Sequence, residues 1–268
     1  MFFVMRILMI GDIFGRPGRN TVKNVLPELR MSEKIDLVVA NAENMHHGKG
    51  VSDKLVQELR EVGVDFFTSG NHVWKERSIY SFLDKTDYPL IRPANYAPGV
   101  PGKGFQVLEI QGKKVLVINV MGRVFMHQSL DCPFRVTEKI LADFGKEKFA
   151  AILVDFHAEA SSEKVAFGHF LDGKVSVVVG THTHVPTADE LVLEKGTAYQ
   201  TDLGMTGTYN SVIGLEKSSI IQNFIDQLPV KHEVAVGPTV FNATLIDVDE
   251  ETGRAIKIRR IQKYCDTI

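Results

Sequence analysis

The sequence has few cysteines, little net charge and no long hydrophobic run. Its two cysteines, Cys132 and Cys265, lie far apart in 268 residues and match no C-x-x-C spacing. They are typical of free thiols in a reducing compartment, so a disulfide scaffold is excluded and the cytoplasm is expected. A formal net charge of −2 argues against a stable nucleic-acid complex. The apolar stretch before Arg6 is too short to span a membrane and has no signal-peptide cleavage site.

The chain contains enough apolar residues to build one large core. With 44% hydrophobic residues, a single domain over residues 1–268 is expected. Apolar runs alternate with amphipathic segments, which is typical of an α/β protein. The apolar runs predict strands at 6–10, 36–40, 64–68, 105–110, 114–120, 150–156, 175–179, 189–194 and 239–248. The amphipathic segments predict helices at 19–31, 52–62, 75–84, 135–146, 161–171 and 217–227.

Two kinds of strand connection are predicted. The first half of the chain is typical of βαβ units, whose strands are parallel. Residues 106–120 and 239–261 each contain two apolar runs around a turn, which predicts antiparallel hairpins. A mixture of parallel units and hairpins favours two packed sheets over one doubly wound sheet.

Polar residues follow the apolar runs where the predicted strands end. The sequence Gly180-Thr181-His182-Thr183-His184 comes directly after a run of valines. Side chains at i and i+2 of an extended backbone lie on the same side, so the two imidazoles should be neighbours. Ligands in α/β folds bind at the carboxyl ends of strands. Four other predicted strands also end in such residues: Asp12, Glu43, Asn71 with His72, and His157.

This combination of carboxylate, amide and imidazole indicates a metal site. It fits iron, manganese or zinc, since it is too rich in nitrogen for calcium and too poor in sulfur for a thiolate site. The candidate ligands exceed what one ion needs. Two ions sharing a bridging carboxylate, roughly 3.5–4 Å apart, would use them.

The ordered motifs resemble those of the calcineurin-like metallophosphoesterases, and more closely their bacterial YmdB-like branch. The resemblance runs from about Arg6 to about Ile261. It rests on Gly11-Asp12-Ile13, Asn41-Ala42-Glu43-Asn44, His157-Ala158-Glu159, Gly180 to Asp189 and Thr201 to Gly207. The fold that it implies is a four-layer α/β/β/α sandwich of two mixed β-sheets flanked by helices.

The resemblance also implies a role for each site residue. Asp12 and His184 would bind the first metal, and Glu43 would bridge both. Phe14 stands where the superfamily usually has a histidine ligand, and Asn44 would fill that gap. His72 would be the general acid. The second metal would be completed by Asn71, His157 and His182.

The reaction implied by the YmdB-like branch is hydrolysis of 2′,3′-cyclic nucleotides to 3′-nucleotides. A hydroxide bridging the two metals would be the nucleophile, since bound metals lower the pKa of water. Iron is the favoured metal, with manganese or zinc as alternatives. The expected partner is a small phosphoester, and the sequence is compatible with a homo-oligomer.

Several alternatives stay open. The same centre would suit a broad-specificity phosphomonoesterase or phosphodiesterase, or a metal-binding regulatory protein with little turnover. Asp12 could instead cap the following helix, and Glu159 could either orient a ligand histidine or be an exposed turn residue. Arg16 and Arg19 could clamp a phosphate, but solvated or ion-paired arginines are commoner. An amidohydrolase barrel is disfavoured because its His-x-His pair belongs on the first strand.

Overall fold

The computed structural model of the protein describes residues 4–266. Residues 1–3 and 267–268, which the expected 1–268 domain includes, lie outside the described residues. The strands are β1 (Val4–Ile10), β2 (Asp12–Ile13), β3 (Leu37–Asn41), β4 (Phe66–Thr68), β5 (Phe105–Ile110), β6 (Lys113–Met121), β7 (Ala151–His157), β8 (Val177–Thr181), β9 (Leu191–Val192), β10 (Ala198–Gln200), β11 (Met205–Thr208), β12 (Thr239–Asp249) and β13 (Ala255–Cys265). The helices are α1 (Gly15–Ser32), α2 (Asp53–Arg60), α3 (Tyr80–Leu83), α4 (Pro133–Phe144), α5 (Ser161–Leu171) and α6 (Lys217–Asp226).

The strands form two mixed sheets. The first has the order β2-β11-β12-β1-β3-β4, and β13 pairs with β12. In it β1, β3 and β4 are parallel, while β12 runs antiparallel to β1 and β13. The second sheet has the order β5-β6-β7-β8-β10-β9, with β6, β7, β8 and β10 parallel and the edge strands antiparallel. The predicted combination of parallel units and hairpins is therefore confirmed.

Three hydrophobic cores separate four layers. The first lies between the first sheet and helices α1 and α2, with Leu26 and Leu59 buried against Leu8. The second lies between the two sheets, where Val39 of one sheet and Leu153 of the other are both buried. The third lies under helices α4 and α5 on the outer face of the second sheet. The four-layer sandwich is confirmed, because each sheet buries both of its faces.

The structure corrects the predicted boundaries in three places. Helix α1 begins at Gly15 rather than residue 19, because a proline is tolerated in the first turn, where its missing N–H would have no partner. The helix predicted at 75–84 is a 3-10 turn followed by the short α3. The strand predicted at 189–194 is reduced to Leu191–Val192.

The short strands β2, β10 and β11 were not predicted, because none of them lies in a long apolar run. Their pairing is decided by neighbours that are distant in the sequence, as for Asp12 beside Met205. Among residues 4–266, none of the helices combines the length and the apolar character that crossing a lipid bilayer requires.

Truncating a side chain between the two sheets should destabilise the fold. Leu153 is fully buried there, so Leu153→Ala should lower the free energy of unfolding by about 2–5 kcal/mol through a cavity and lost apolar contact. Ile256 is 53% exposed on β13, so Ile256→Ala should change it by less than about 0.5 kcal/mol. Denaturant unfolding measures the free energy of unfolding of both variants. An equal loss of stability in the two would contradict a hydrophobic core between the sheets.

Candidate active site

Five chain segments meet at the carboxyl ends of the central strands. The first sheet contributes the residues at and after β2, β3 and β4, and the second sheet contributes those at the ends of β7 and β8. All eight residues singled out in the sequence lie in this one cluster: Asp12, Glu43, Asn44, Asn71, His72, His157, His182 and His184. Most of them are buried, while Asn71, His72 and His182 are half-buried on the side that faces solvent.

Ligand atoms converge on Nε2 of His157. Asn71 Oδ1 lies 3.0 Å from this nitrogen, His182 Nδ1 lies 3.1 Å from it, and Glu43 Oε1 lies 3.2 Å from it. Two atoms bound at right angles to one ion, each about 2.1 Å from it, lie about 3.0 Å apart. The observed spacing is therefore that of ligands around a common cation.

The hydrogen bond on the opposite side of the His157 ring fixes its chemistry. Nδ1 lies 2.9 Å from Thr181 Oγ1, and this hydroxyl donates its own proton to Asp155 at 2.7 Å. His157 Nδ1 must therefore donate to Thr181. In a neutral imidazole the proton on Nδ1 leaves a lone pair on Nε2, which is the state that binds a metal.

Two buried oxygens nearby lack a hydrogen bond. Asp12 Oδ1 and Asn44 Oδ1 have no hydrogen-bond partner in the described part of the chain. His184 Nε2 lies 3.9 Å from Asp12 Oδ1, and its Nδ1 donates to the carbonyl of Ile213 at 2.9 Å. Buried polar atoms without partners are costly, so these atoms fit a second cation beside the first.

The two histidines after β8 do not continue an extended strand. The prediction that they are neighbours because side chains at i and i+2 of an extended backbone lie on the same side is therefore wrong. The strand ends at Thr181, and His182 and His184 have φ values of +97° and +65°. Residues other than glycine seldom adopt such φ values, and they cluster at functional sites where the surroundings impose them. Here the His182 N–H donates to Asp12 Oδ2 at 3.1 Å, which holds the turn against β2.

Glu43 contacts both His157 and His72. The backbone N–H of His72 donates to Glu43 Oε2 at 2.9 Å, and the ring Nδ1 lies 3.2 Å from Oε1. Nδ1 is also 3.3 Å from the amide nitrogen of Asn44. The Nε2 atom of His72 has no hydrogen bond to any residue between 4 and 266, so it remains available to a substrate.

Burial and charge shift the pKa values of this cluster strongly. Burial raises the pKa of Asp12 to about 6. Burial would also raise the pKa of Glu43, but the neighbouring imidazoles of His157 and His72 outweigh this effect and hold the pKa well below its usual range. Burial would lower the pKa of His157, yet the charge of Glu43 overcomes it and raises the pKa to about 9. Burial, followed by the charge of His157, lowers the pKa of His182 to about 3.

A buried polar network supports the site and was missed in the sequence. Asp155 accepts hydrogen bonds from Thr68 (2.5 Å), Thr181 (2.7 Å) and Asn41 (3.1 Å), and burial raises its pKa. Asp155 precedes His157 by two residues in β7, so both side chains lie on the same side of that strand. A carboxylate inside an apolar run was the signal that could have indicated this network.

A buried ion pair holds the turn that carries the two histidines. Lys164 Nζ and Asp202 Oδ2 are 2.5 Å apart, and both side chains are 1% exposed. Lys164 also donates to the carbonyl of Thr181, and Asp202 accepts from the N–H of Thr183 at 3.2 Å. The sequence motifs include Asp202 but assign it no role, because its partner Lys164 lies 38 positions away.

The structure also places the residues whose roles were left open. Arg19 donates to the carbonyl of Met45 and pairs with Glu58, as expected for a structural arginine. Glu159 lies 3.1 Å from His182 Nε2, which is the contact expected of a residue that orients this ring. Arg16 makes no hydrogen bond within residues 4–266. Asp12 does not cap α1, because the residue at that cap is Phe14.

Comparisons with known proteins agree with this arrangement. A 2′,3′-cyclic-nucleotide 2′-phosphodiesterase of Bacillus subtilis is 46% identical over 96% of both chains. A crystal structure described as a novel phosphatase from Mycoplasma pneumoniae has a TM-score of 0.93 and 36% identity, and covers 100% of this chain and 96% of that chain. An NAD nucleotidase of Haemophilus influenzae, 14% identical, shares the fold with a TM-score of 0.63, covering 99% of this chain and 57% of that one.

Two packed mixed sheets with carboxylate, amide and imidazole groups at their strand ends define a metallophosphoesterase. The sequence profile of the YmdB-like protein family matches residues 8–261. The chain therefore belongs to the YmdB-like family, as its motifs predicted. This family relationship implies divalent metals, and Glu43, His157 and His182 form a group able to hold one.

Adding a methyl group at Gly70 should disrupt the metal centre. A Cβ there would lie 2.3 Å from His157 Nε2 and 2.4 Å from Glu43 Oε2, so both would have to move. Gly70→Ala should lower metal affinity at least about tenfold, which elemental analysis and metal titration measure. Gly207→Ala is the control, since its Cβ comes no closer than 3.2 Å to Phe14. Unchanged metal content in Gly70→Ala would contradict the proposed ligand positions.

Metal uptake should release a proton. With a pKa of about 9, His157 is protonated at pH 7.5 in the metal-free protein and must lose this proton to become a ligand. Metal affinity should therefore rise about tenfold per pH unit below pH 9, and more steeply below pH 6, where Asp12 is also protonated. Calorimetry in buffers of different ionisation enthalpy should count at least one proton per protein at pH 7.5. His157→Gln should lower that count by about one, and an affinity independent of pH would contradict the assignment.

Proposed function

We propose that this protein hydrolyses 2′,3′-cyclic nucleotides to 3′-nucleotides at a centre of two metal ions. The proposal is carried by the convergence of Glu43, Asn71 and His182 on the lone pair of His157 at 3.0–3.2 Å. The 46% identity to the Bacillus subtilis 2′,3′-cyclic-nucleotide phosphodiesterase supports this substrate.

The donor atoms divide into two sets around Glu43. Asp12 and Asn44 carry the buried oxygens that lack hydrogen bonds, and His184 Nε2 lies 3.9 Å from the oxygen of Asp12, so we assign these three residues to the first metal. Asn71, His157 and His182 would hold the second metal. Glu43 would bridge both ions. We propose iron as the resident metal, with manganese or zinc as alternatives, since carboxylate, amide and imidazole ligands suit all three.

The residues of the chain then have distinct tasks. The two metals, when bound, would supply an activated water as the nucleophile and positive charge against the phosphoryl oxygens. His72 would donate a proton from Nε2 to the 2′ oxygen as the bond between phosphorus and that oxygen breaks. Glu43, through two contacts, holds the His72 ring on the half-exposed side of the site where substrate would enter.

A phosphomonoesterase is the second candidate. The Mycoplasma pneumoniae structure, which is 36% identical, is described as a phosphatase. A phosphomonoester would place a leaving oxygen beside His72 in the same way, so the architecture of the centre favours neither substrate by itself. The choice between them depends on the pocket walls, and a substrate panel decides it.

We place the reaction in the cytoplasm. Cys132 and Cys265 are both free thiols, which persist in a reducing compartment.

A substrate panel tests the proposed reaction. The metal-loaded protein should convert 2′,3′-cAMP to 3′-AMP with a kcat/KM at least about tenfold higher than for 3′,5′-cAMP or 5′-AMP. Chromatography of the products identifies which ester bond breaks. Preference for 5′-AMP would favour the phosphomonoesterase. Full metal content without turnover of any of the three would support a regulatory protein instead.

Replacing His72 tests the general acid. His72→Ala should lower kcat on 2′,3′-cAMP about 10²–10⁴-fold, because the alkoxide then leaves without a proton. Bis-p-nitrophenyl phosphate has a leaving group that needs no proton, so its hydrolysis should fall far less. His47→Ala is the matched control, with metal content measured in both variants. An equal loss on both substrates would contradict proton donation by His72.

A further inference from the structure

Arg92 is a buried cation without an ion pair. It is nine-tenths buried, with 9% of its surface exposed. Its Nε donates to the carbonyl of Pro101 at 3.3 Å and its Nη1 donates to the carbonyl of Pro93 at 2.8 Å. Across residues 4–266 no carboxylate pairs with Arg92, and its Nη2 makes no hydrogen bond.

A buried charge in this state is expensive unless something else balances it. A guanidinium has five N–H donors, and two carbonyl contacts leave most of them without a partner. Burial lowers the pKa of Arg92, and the negative charge of Asp84 opposes this shift only in part. The surroundings of Arg92 within the described chain therefore leave its charge under-compensated, which points to an anion from outside.

Arg92 lines a cavity of about 800 Å³ that opens to solvent between the loop after β4, strand β5 and helix α4. This volume is within the range of about 300–1,000 Å³ that small-molecule sites occupy. The rings of Tyr96 and Phe105 and the side chains of Val107 and Ile140 supply apolar walls. Lys103 and Lys139 also line the cavity and add two exposed cations, and Lys103 Nζ donates to the carbonyl of Thr86 at 3.0 Å.

The distribution of charge in the cavity favours an anion at its buried end. Three aspartates also line it, but all three are exposed and stay solvated. Arg92, by contrast, is buried and has lost most of its contact with water. An anionic ligand that enters the cavity would balance its charge. None of the eight residues assigned to the metal centre lines this cavity.

We propose that this cavity is a second ligand site, which binds a small organic anion. The planar fork of Arg92 would hold a phosphomonoester-like or carboxylate headgroup by two parallel hydrogen bonds. The flat or aliphatic body of the ligand would lie against Tyr96, Phe105 and Val107. Arg92 and Lys103 are binding residues, and the site stands whether or not the metal centre hydrolyses cyclic nucleotides.

Calorimetric titration of the metal-loaded protein with phenylphosphonate tests the site. This probe has a dianionic headgroup and a flat apolar ring, but no ester bond to hydrolyse. Val107→Trp, at a residue 36% exposed, places a bulky ring where the body of the ligand would lie and leaves Arg92 untouched, so this variant should bind one equivalent of phenylphosphonate fewer than the wild type. Arg92→Lys keeps the charge but loses the fork, and the affinity of this one site should fall at least about tenfold.

Three controls separate the cavity from other effects. Ile256→Trp places the same side chain at an exposed strand position outside the cavity and should bind as the wild type does. Methylphosphonate lacks the ring and should lose most of the affinity for this site, and benzoate tests whether a carboxylate replaces the phosphonate. Circular dichroism confirms that each variant is folded. Wild-type stoichiometry and affinity in folded Val107→Trp, or in folded Arg92→Lys, would overturn the proposal.

Discussion

The lone pair on His157 Nε2 faces an amide oxygen, a carboxylate oxygen and a second imidazole nitrogen at 3.0–3.2 Å, and the rest of the site depends on this crowding. Without a cation, the metal-free protein offsets the repulsion by holding a proton, which is why the pKa of His157 rises to about 9 while that of His182 falls to about 3. A metal ion at this position would replace that proton and satisfy these neighbouring donor atoms. The raised pKa of His157 and the capacity of this group to hold a metal therefore have the same origin, the convergence of lone pairs around Nε2.

The surrounding fold makes this arrangement possible by packing two sheets face to face, so that the carboxyl ends of their central strands meet. Glu43 and Asn71 come from the first sheet, whereas His157 and His182 come from the second, so the site exists only while the inter-sheet core is intact. Close approach of the backbones is required as well. A Cβ at Gly70 would collide with His157 and Glu43. The buried Asp155 network and the Lys164–Asp202 pair then prevent the ligands from relaxing apart.

Phe14 shows how the site adapts when a usual ligand is replaced. Its ring packs edge-to-face on His184, with ring centroids 5.3 Å apart. Added Cβ atoms on Gly48 or Gly214 would lie within 2.8 Å of this ring, so the two glycines leave the space that it fills. A phenyl group cannot bind a metal, and the unpartnered Oδ1 of Asn44 is the buried oxygen available in its place. The apolar ring also shields one side of His184 from water.

The sequence by itself determined the fold class, the order of most strands and helices, and the family, because hydrophobic periodicity and motifs are local properties. It also predicted which eight side chains would meet, since polar residues at the ends of parallel strands share one sheet edge; their individual roles stay predictions. Only the tertiary structure decided the turn at His182 and His184, the relay from His157 through Thr181 to Asp155, and the isolated charge of Arg92. These features depend on contacts between distant residues, such as Asn41 and Asp155, which are 114 positions apart. No local pattern encodes such a contact, because it forms only when the two sheets pack.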